Sequence, residues 1–316
     1  MNNPLVSILM PVKNTGKFTK KAIESILEQT YDNFELLILD SSDDNITTVI
    51  IKSFSDSRIK YFYRPELNLP QILNYGIEIA GGEFIARMDG DDISMSDRIS
   101  IEMNYLLSHP ETDITGTQFY YIDGNDKILY RKNLPVEHKD IEFMMPVITS
   151  IHHPTIITKK VNFIKAGMYN ESRIYSEDTE LYLRMLNAGA IFHNIDTPLL
   201  MYRITERSYD LFEKQNKIKY NDCVNYINNY YNEECFDSNI RRGLLEYYIG
   251  DISLARKFLY RSMMFGFLKA LKYWRYLTVS LLGNNIIRFI RRHRISEFYN
   301  KIFIKLFHHD TYNIKS

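Results

Sequence analysis

The fold is decided near the start of the chain by the run Val6-Ser7-Ile8-Leu9-Met10, which leads into Pro11 and Val12. A continuous apolar run of this length is typical of a strand that is buried on both faces. A polar turn over residues 13–16 follows, and apolar residues then recur at helical spacing over residues 18–28. The chain therefore opens with a strand, a turn and a helix.

The same alternation continues over the first hundred residues. Apolar runs predict strands over residues 34–39, 59–63 and 83–88, and helical spacing predicts a helix over residues 69–80. The polar turn over residues 41–45 can cap a further helix. This rhythm predicts an α/β fold, with a mostly parallel, Rossmann-like sheet and helices on both faces.

Polar loops lie at the carboxyl ends of three predicted strands, over residues 13–16, 40–45 and 89–92. Ligands of open α/β sheets bind at this edge. Neither a G-x-G-x-x-G motif after the first strand nor a G-x-x-x-x-G-K-[ST] motif occurs. A dinucleotide fingerprint and a P-loop are therefore both unsupported.

The pattern changes in the second hundred residues. A hairpin is predicted around Gly124-Asn125, and a helix is expected from near Ser176 to Gly189. Two short strands are expected over residues 191–195 and 199–202. From residue 206 onward the pattern is helical throughout.

Cysteine content and hydropathy bound the compartment. The chain has two cysteines, Cys223 and Cys235, and their spacing implies neither a metal site nor a disulfide framework. The start of the chain lacks the positive region of a signal peptide. The longest uncharged stretch of the tail, residues 276–287, is shorter than the roughly 20 apolar residues of a membrane span. We expect a cytoplasmic protein.

Three carboxylates are crowded into the turn Met88-Asp89-Gly90-Asp91-Asp92, which contains a D-x-D motif. Carboxylates this close raise each other's pKa unless a cation lies among them. Hard divalent ions take carboxylate oxygens and share them with substrate phosphates, and the ion can neutralise a diphosphate leaving group. The turn thus predicts a nucleotide-diphosphate site. The alternative is a solvated turn in which Asp92 or Ser94 caps a helix that starts near Met95.

A second acidic segment, Ser176-Glu177-Asp178-Thr179-Glu180, precedes an amphipathic helix. Carboxylates in a first helical turn are favoured by the helix dipole, and this alone could explain them. The functional interpretation is a general base, which must be ionised and within reach of a substrate hydroxyl. The helix N-terminus would keep Asp178 ionised at neutral pH.

Taken together, these segments resemble the family 2 glycosyltransferases, and in particular bacterial enzymes that build capsule and lipopolysaccharide chains. The segments keep the family's order across residues 1–206. They are residues 6–12, 22–31, 34–40, 73–77 and 86–92, His153-Pro154-Thr155, Ser176-Glu177-Asp178 with Leu181 and Arg184, and Tyr202-Arg203.

The resemblance implies a GT-A fold, an inverting mechanism and roles for the matching residues. Asp91 would hold Mn²⁺ or Mg²⁺ against the diphosphate, and Asp178 would take the proton from the acceptor hydroxyl. The residues implied at the donor sugar, its phosphates or the acceptor are Glu177, His153 and Arg203. Those implied at the nucleotide are Pro11, Val12, Asn14, Asp40, Asn74 and Asp89.

The implied reaction moves a hexosyl or N-acetylhexosaminyl group from a nucleotide-diphosphate sugar, a UDP-sugar, to a surface glycan or a lipid-linked oligosaccharide. The sequence departs from the family in three places that bear on the site, and one of them is Lys13, which stands where an aromatic residue is usual. Ser41-Ser42 follow Asp40, where the family often has Asp and Gly, so the base that is bound stays open. Ile204-Thr205 stand where a His often completes the metal site, so Asp91 is expected to share the ion with phosphate and water.

Two other functions stay open from the residues alone. A nucleotidyltransferase that makes sugar nucleotides would need a Gly-rich, basic loop after the first strand, and residues 13–17 offer only a faint version of it. A non-catalytic nucleotide-sugar binder would need no general base.

The two ends of the chain differ in charge. Residues 1–251 carry 26 Lys/Arg against 37 Asp/Glu, whereas residues 252–305 carry 12 Lys/Arg against one acid. We therefore predict a catalytic domain over residues 1–206 and a helical C-terminal region with basic amphipathic segments over residues 207–316. The basic region is expected to bind an anionic membrane at the inner face of the cytoplasmic membrane. The alternatives are a packed helical subdomain and nucleic-acid binding, and we expect no nucleic-acid partner.

Overall fold

A computed structural model describes residues 3–231, 235–249, 251–271, 273 and 276 of the chain. The chain divides into two compact units, Met1–Tyr230 and Tyr231–Ser316. The first unit extends past residue 206 because it includes the long helix that begins there. The predicted division of roles between residues 1–206 and 207–316 stays a prediction.

The first unit alternates strands and helices, as the sequence predicted for its first hundred residues. Its strands are β1 Val6–Val12, β2 Phe34–Asp40, β3 Ile59–Tyr63, β4 Phe84–Arg87, β5 Ile93–Ser94, β6 Ile114–Ile122, β7 Ile128–Lys132, β8 Ile157–Lys159 and β9 Phe192–Arg203. Its helices are α1 Phe18–Leu27, α2 Asn45–Lys52, α3 Leu69–Ile79, α4 Arg98–Ser108, α5 His138–Met144, α6 Lys160–Lys165, α7 Glu177–Asn187 and α8 Glu206–Tyr230.

Within the described residues the strands form one mixed sheet in the order β3-β2-β1-β4-β8-β6-β9-β5, with β7 paired to β6. The strands β3, β2, β1 and β4 are mutually parallel. The strand β8 is antiparallel to both β4 and β6, whereas β9 is parallel to β6. The predicted hairpin is the antiparallel pair β6–β7.

The core explains why the first two strands are apolar along their whole length. Every residue of β1 and β2 is buried, as expected for strands covered on both faces. Ala22, Ile23 and Ile26 of α1 pack into the same cluster as alternate residues of these strands. The helix α3 is fixed at its start by a capping box in which Asn68 and Gln71 bind each other's backbone.

Two predictions were wrong, one for the strand β9 and one for the start of the helix α4. The two short strands are one continuous strand, β9, which stays paired with β6 through register shifts around Gln118 opposite Pro198. Proline lacks an N–H donor and is therefore accommodated at such irregularities. The helix expected near Met95 begins at Arg98, so neither Asp92 nor Ser94 caps it, and Ser94 instead lies in β5.

The second unit is helical in its described part. It contains α9 Phe236–Tyr248 and α10 Ile252–Leu271, which pack together. Tyr247, Ile252 and Ala255 form a small core there. No helix within the described residues has the length and apolar character needed to span a bilayer. The basic cluster Arg288, Arg291, Arg292 and Arg294 lies outside the described residues.

Gly82, just before β4, provides a test of how closely the sheet's backbone packs. A Cβ atom at this position would lie 2.7 Å from both the carbonyl oxygen of Leu5 and the amide nitrogen of Ser7. Since these are backbone atoms, they cannot rotate away. We expect Gly82→Ala to lower the free energy of unfolding by about 1–3 kcal/mol, measured by urea unfolding. The control Gly124→Ala adds a methyl group in open space and should leave the midpoint nearly unchanged. Equal midpoints for both variants would contradict the expectation.

Candidate active site

The site is assembled at the carboxyl edge of the parallel strands, where β1, β2 and β4 end side by side. Residues 88–92, which follow β4, form the acidic loop. The backbone of Gly90 in this loop approaches β1 so closely that a Cβ atom at Gly90 would collide with the side chain of Val12. It would also lie 3.3 Å from the carbonyl oxygen of Pro11. Pro11 and Val12 therefore lie directly beside the acidic loop, and their predicted role in binding a nucleotide stays a prediction.

Asn14 links the loops that follow β1 and β2. It adopts a left-handed conformation, with φ of 56°, and its amide N–H donates to Ser42 Oγ at 2.9 Å. Its side-chain oxygen accepts from the amides of Asp43 and Asp44 at 3.1 and 3.2 Å. Asn14 therefore holds the loops after β1 and β2 together through its own protein contacts, and its predicted role in binding a nucleotide stays a prediction.

Asp40, at the end of β2, is completely buried. Its carboxylate accepts from the Ser42 amide at 2.8 Å, from Thr48 Oγ1 at 3.1 Å and from the Tyr61 hydroxyl at 2.8 Å. Burial, together with the hydrogen bond to Asp40, raises the pKa of Tyr61 to about 12. The described contacts of Asp40 thus organise the loop after β2.

The acidic loop concentrates negative charge in a poorly hydrated place. Burial, reinforced by the neighbouring charge of Asp89, raises the pKa of Asp91 to about 6. Burial followed by the charges of Asp91 and Asp89 raises the pKa of Asp92 well above its ordinary range. One oxygen of Asp92, Oδ2, is buried and has no hydrogen-bond partner in the described part of the chain. This is the electrostatic environment that a cation relieves.

A buried guanidinium that sequence reasoning missed lies between the two acidic segments. Arg87 Nη2 forms an ion pair with Asp89 Oδ1 at 2.6 Å, and the Arg87 side chain is 6% exposed. Its Nε and Nη1 atoms are buried without a hydrogen-bond partner among the residues described. Burial raises the pKa of Glu177, and the positive charge of Arg87 offsets part of this rise. The sequence contained one signal for Arg87. It is a charged residue in a predicted buried strand, next to the D-x-D motif.

The second acidic segment begins α7 after Ser176, which has a left-handed φ of 61°. Glu177 is buried, and burial followed by the charge of Asp178 raises its pKa to about 8. Asp178 is only half-buried. The charge of Asp89 also raises the Glu177 pKa. The charge of the acidic loop therefore acts on the acid pair, Glu177 and Asp178, through its effect on Glu177.

His153 is buried and has protein partners at both ring nitrogens. Its Nδ1 is 2.6 Å from the Tyr182 hydroxyl, and its Nε2 is 3.1 Å from the Tyr169 hydroxyl. Burial, followed by the charge of Arg87, holds the His153 pKa well below its usual range. The ring is therefore neutral at pH 7, with one nitrogen donating and the other accepting.

Asn74 also acts on the segment that leads into α7. Its side-chain amide donates to the Tyr169 carbonyl at 2.9 Å and to Glu171 Oε1 at 3.0 Å, while its oxygen accepts from the Tyr169 amide at 2.9 Å. Asn74 and His153 thus share Tyr169 as a partner. Neither residue contacts the acidic loop through a described hydrogen bond. No local sequence pattern singles out Tyr169, because its partners are remote in the chain.

Arg203, at the end of β9, supports the acidic loop from inside the protein. Its amide N–H donates to Asp92 Oδ1 at 2.8 Å, and its Nε donates to the Asp91 carbonyl at 2.6 Å. The Arg203 side chain is completely buried. The contacts therefore make it a positioning residue for the loop, whereas the sequence predicted that it contacts the substrate.

Lys219 on α8 is a further buried cation that sequence reasoning missed. Its Nζ donates to Thr149 Oγ1 at 2.7 Å, and burial lowers its pKa. The charge of Asp178 acts in the opposite direction and raises the Lys219 pKa. The predicted general base thus has a buried positive charge in its surroundings.

The acidic loop offers oxygen ligands for the predicted metal. Within the described residues no group of three or more His, Cys, Asp or Glu could hold an ion by itself. Asp89 and Asp91 supply hard oxygen ligands, which suit Mg²⁺ or Mn²⁺ when phosphate and water complete the shell. The orphaned oxygen of Asp92 and the raised pKa of Asp91 fit such an ion.

Comparison with protein families gives one match to this region. The model described as "Glycosyl transferase family 2" matches residues 7–165. The O-antigen biosynthesis glycosyltransferase WbnJ of Escherichia coli is 30% identical over 227 residues, covering 70% of this chain and 87% of WbnJ. A glycosyltransferase of Rickettsia typhi is also 30% identical, but the match spans only 61% of that relative's length.

Solved structures share the architecture. The mannosyltransferase PcManGT from Pyrobaculum calidifontis, in complex with GDP-Man and Mn²⁺, has a TM-score of 0.61 at 13% identity and covers 98% of this chain and 89% of its own. A fragment of S. aureus TarS in complex with UDP-GlcNAc has a TM-score of 0.55 at 15% identity, covering 87% of this chain and 79% of its own. At these identities the likeness is one of fold, and the predicted GT-A fold is confirmed.

The raised pKa of Glu177 makes stability depend on pH. Its folded pKa of about 8 lies above the ordinary value of 4.5, so its contribution to stability is fully present below pH 4.5 and is lost as the pH rises through 8. Glu177→Gln cannot ionise. We expect this variant, with a chelator present, to be more stable than the wild type by on the order of 2 kcal/mol at pH 8 and about equal at pH 4.5, measured by thermal unfolding.

The matched control is Glu180→Gln in the same helical turn. Glu180 pairs with Arg184 at 2.7 Å, so removing its charge should give no gain at pH 8. A stability difference between Glu177→Gln and the wild type that is the same at both pH values would show that the Glu177 pKa is not raised.

Proposed function

We propose, because the chain belongs to glycosyl transferase family 2, that it moves a sugar from a nucleotide-diphosphate sugar to a hydroxyl of a surface glycan or a lipid-linked oligosaccharide, with inversion at the anomeric carbon. The observation that carries the proposal is the position of the acidic loop, which lies at the carboxyl edge of the parallel strands and inside the segment that the family model matches. This edge would hold the leaving diphosphate, and the start of α7 would supply the general base. The family match favours sugar transfer over nucleotidyl transfer or binding without turnover.

The donor would bind along the carboxyl edge of the sheet. Pro11, Val12 and Asn14 border the acidic loop or the neighbouring β2 loop, and Asp40 fixes the latter from inside. Because TarS was solved with UDP-GlcNAc and WbnJ acts in O-antigen biosynthesis, we propose a UDP-sugar donor that carries a hexosyl or N-acetylhexosaminyl group. The acceptor would be a growing polysaccharide.

Asp91, with Asp89, would hold Mn²⁺ or Mg²⁺ together with the donor's diphosphate. When bound, this ion neutralises the charge that develops on the leaving nucleotide diphosphate. Asp89 must leave or share its ion pair with Arg87 to act as a ligand, since that pair is formed at 2.6 Å. The Nη2 atom of Arg87, which pairs with Asp89, would then be able to donate a hydrogen bond to the bound substrate.

Asp178 would act as the base. The acceptor oxygen attacks the anomeric carbon, the bond from that carbon to the diphosphate oxygen breaks, and the hydroxyl proton passes to Asp178. Asp178 is half-buried at the start of α7, beside the more deeply buried Glu177. The neighbouring Glu177, whose pKa is about 8, stays protonated at neutral pH and can donate a hydrogen bond to a sugar oxygen. Environment thus separates two adjacent acids into two roles.

The assignment of the base predicts a specific kinetic result. Asp178→Asn keeps the shape of the side chain but cannot accept the proton. We expect its kcat to fall by about 10²–10⁴ fold, with the dissociation constant for the donor nucleotide changed by less than about threefold. Sugar transfer or donor hydrolysis should be measured over a panel of nucleotide sugars with Mn²⁺.

Two variants frame this measurement. Asp91→Asn should weaken metal-dependent donor binding itself, because it removes the proposed ligand. Asp196→Asn is the neutral control, since Asp196 is exposed and pairs with Arg131 on the surface. Full turnover by Asp178→Asn would remove Asp178 as the base.

We also propose that the second unit binds the surface of an anionic membrane, which would place the enzyme on the inner face of the cytoplasmic membrane. Tyr260 and Met264 of α10 are one helical turn apart and are 65% and 75% exposed. Phe267 and Leu268 are 57% and 81% exposed. Exposed Lys257 and Lys269 flank them. Apolar side chains with flanking cations are the composition of interfacial helices.

The double variant Met264→Ser/Leu268→Ser is expected to reduce binding to vesicles that contain phosphatidylserine by at least about tenfold, since each substitution removes an apolar side chain from the interface. Co-sedimentation with anionic and neutral vesicles provides the measurement. Leu107→Ser, which changes a 43% exposed leucine of the first unit, is the control. If the wild type stays in the supernatant with anionic vesicles, the membrane proposal fails.

A further inference from the structure

The guanidinium of Arg203 connects the acidic loop to a distant part of the chain. On one side, its Nε donates to the Asp91 carbonyl. On the other side, its Nη1 donates to the Asp123 carbonyl at 2.8 Å, and its Nη2 forms an ion pair with Asp126 Oδ1 at 2.6 Å. The Cζ atom of the group lies 4.3 Å from the ring centre of Phe18. Nε and Nη1 are thus hydrogen-bonded, whereas Nη2 is held by the ion pair without hydrogen-bond geometry.

Asp123 and Asp126 belong to the hairpin turn, residues 123–126, which joins β6 to β7. The turn is closed by the Asp126 amide, which donates to the Asp123 carbonyl at 3.1 Å. Asp123 Oδ1 accepts from the amides of Asn125 and Lys127 at 2.8 and 3.0 Å. The hairpin turn is therefore ordered by its own backbone contacts, and these do not use the Asp126 carboxylate.

Asp126 occupies an unfavourable conformation for a residue with a side chain. Its φ is 66°, in the left-handed region that glycine adopts more readily. Backbone strain of this kind often accompanies function. The carboxylate that the strain retains has two described partners, Arg203 and the more exposed Lys21. Of these two cations, Arg203 has a completely buried side chain, whereas the side chain of Lys21 is exposed.

We propose that Asp126 is a positioning residue for the acidic loop, which acts through Arg203 to hold Asp91 and Asp92 in the geometry that binds a divalent cation and a diphosphate. The proposal rests on the proposed function of the acidic loop. A buried guanidinium must be paired. If Asp126 is removed, the guanidinium loses its ion-pair partner and still lies beside Asp91, on whose carboxylate its charge acts. The cation needs the same carboxylate, so guanidinium and metal would compete for it.

The test is the affinity of the full chain for Mn²⁺ with UDP and, in parallel, with GDP, measured by calorimetry. Asp126→Gly removes the carboxylate and suits the left-handed backbone, so it does not add strain. We expect metal-dependent nucleotide binding to weaken by about tenfold, while the midpoint of thermal unfolding in chelator stays close to that of the wild type. Asp126→Asn keeps the size of the side chain, removes its charge and should weaken binding in the same direction.

Two controls separate Arg203 from the surroundings of Asp126. Lys21→Met removes the other partner of Asp126, and Arg131→Ala removes an exposed ion pair of the same hairpin. Both should bind like the wild type. Wild-type affinity in both Asp126 variants would overturn the proposal, and so would an equal loss in Lys21→Met. If the wild type binds neither nucleotide with Mn²⁺, the proposed function itself fails, which is a separate outcome.

Discussion

The constraint on which the site depends is the cost of gathering carboxylates where water is scarce. Asp92 and Glu177 are almost completely buried, and Asp89 and Asp91 are half-buried. Ionised carboxylates in such a place are destabilised by lost hydration and by one another. The fold answers with two buried guanidinium groups. Arg87 pairs with Asp89, and the Arg203 guanidinium donates to the Asp91 carbonyl, while the Arg203 backbone amide donates to Asp92 Oδ1.

The sheet places each of these two guanidinium groups beside the acidic loop. Arg87 is the last residue of β4, so it enters from the parallel half of the sheet. Arg203 is the last residue of β9, which runs parallel to β6 for its whole length and also pairs with β5. The strand β5 follows the acidic loop within two residues. The mixed half of the sheet therefore has a second role besides covering the core, because it places the Arg203 side chain against the acidic loop.

The parts that sequence patterns predicted are those set by local chemistry. Apolar runs located β1 to β4, the crowded D-x-D turn located the acidic loop, and the acid pair located the start of α7. The continuity of β9 was missed because Pro198 interrupts its pattern, although pairing with β6 carries the strand across it. The partners of Asn74, His153 and Arg203 were beyond reach as well. These residues bind groups 95, 29 and 111 positions away in the chain, and such contacts follow from topology rather than from local sequence.

The remaining imbalance of charge points to what the site is built to hold. Arg87 keeps two buried donor atoms without a described partner, Asp92 keeps one such oxygen, and Glu177 is protonated at neutral pH. Unsatisfied groups of both signs in one place are costly for a folded protein. A ligand that carries a cation and a polyanion together can satisfy both, since the cation binds the carboxylates and the phosphate oxygens accept from the guanidinium. A metal-bound nucleotide diphosphate has this composition, whereas a metal alone or an anion alone would relieve only one half of the imbalance.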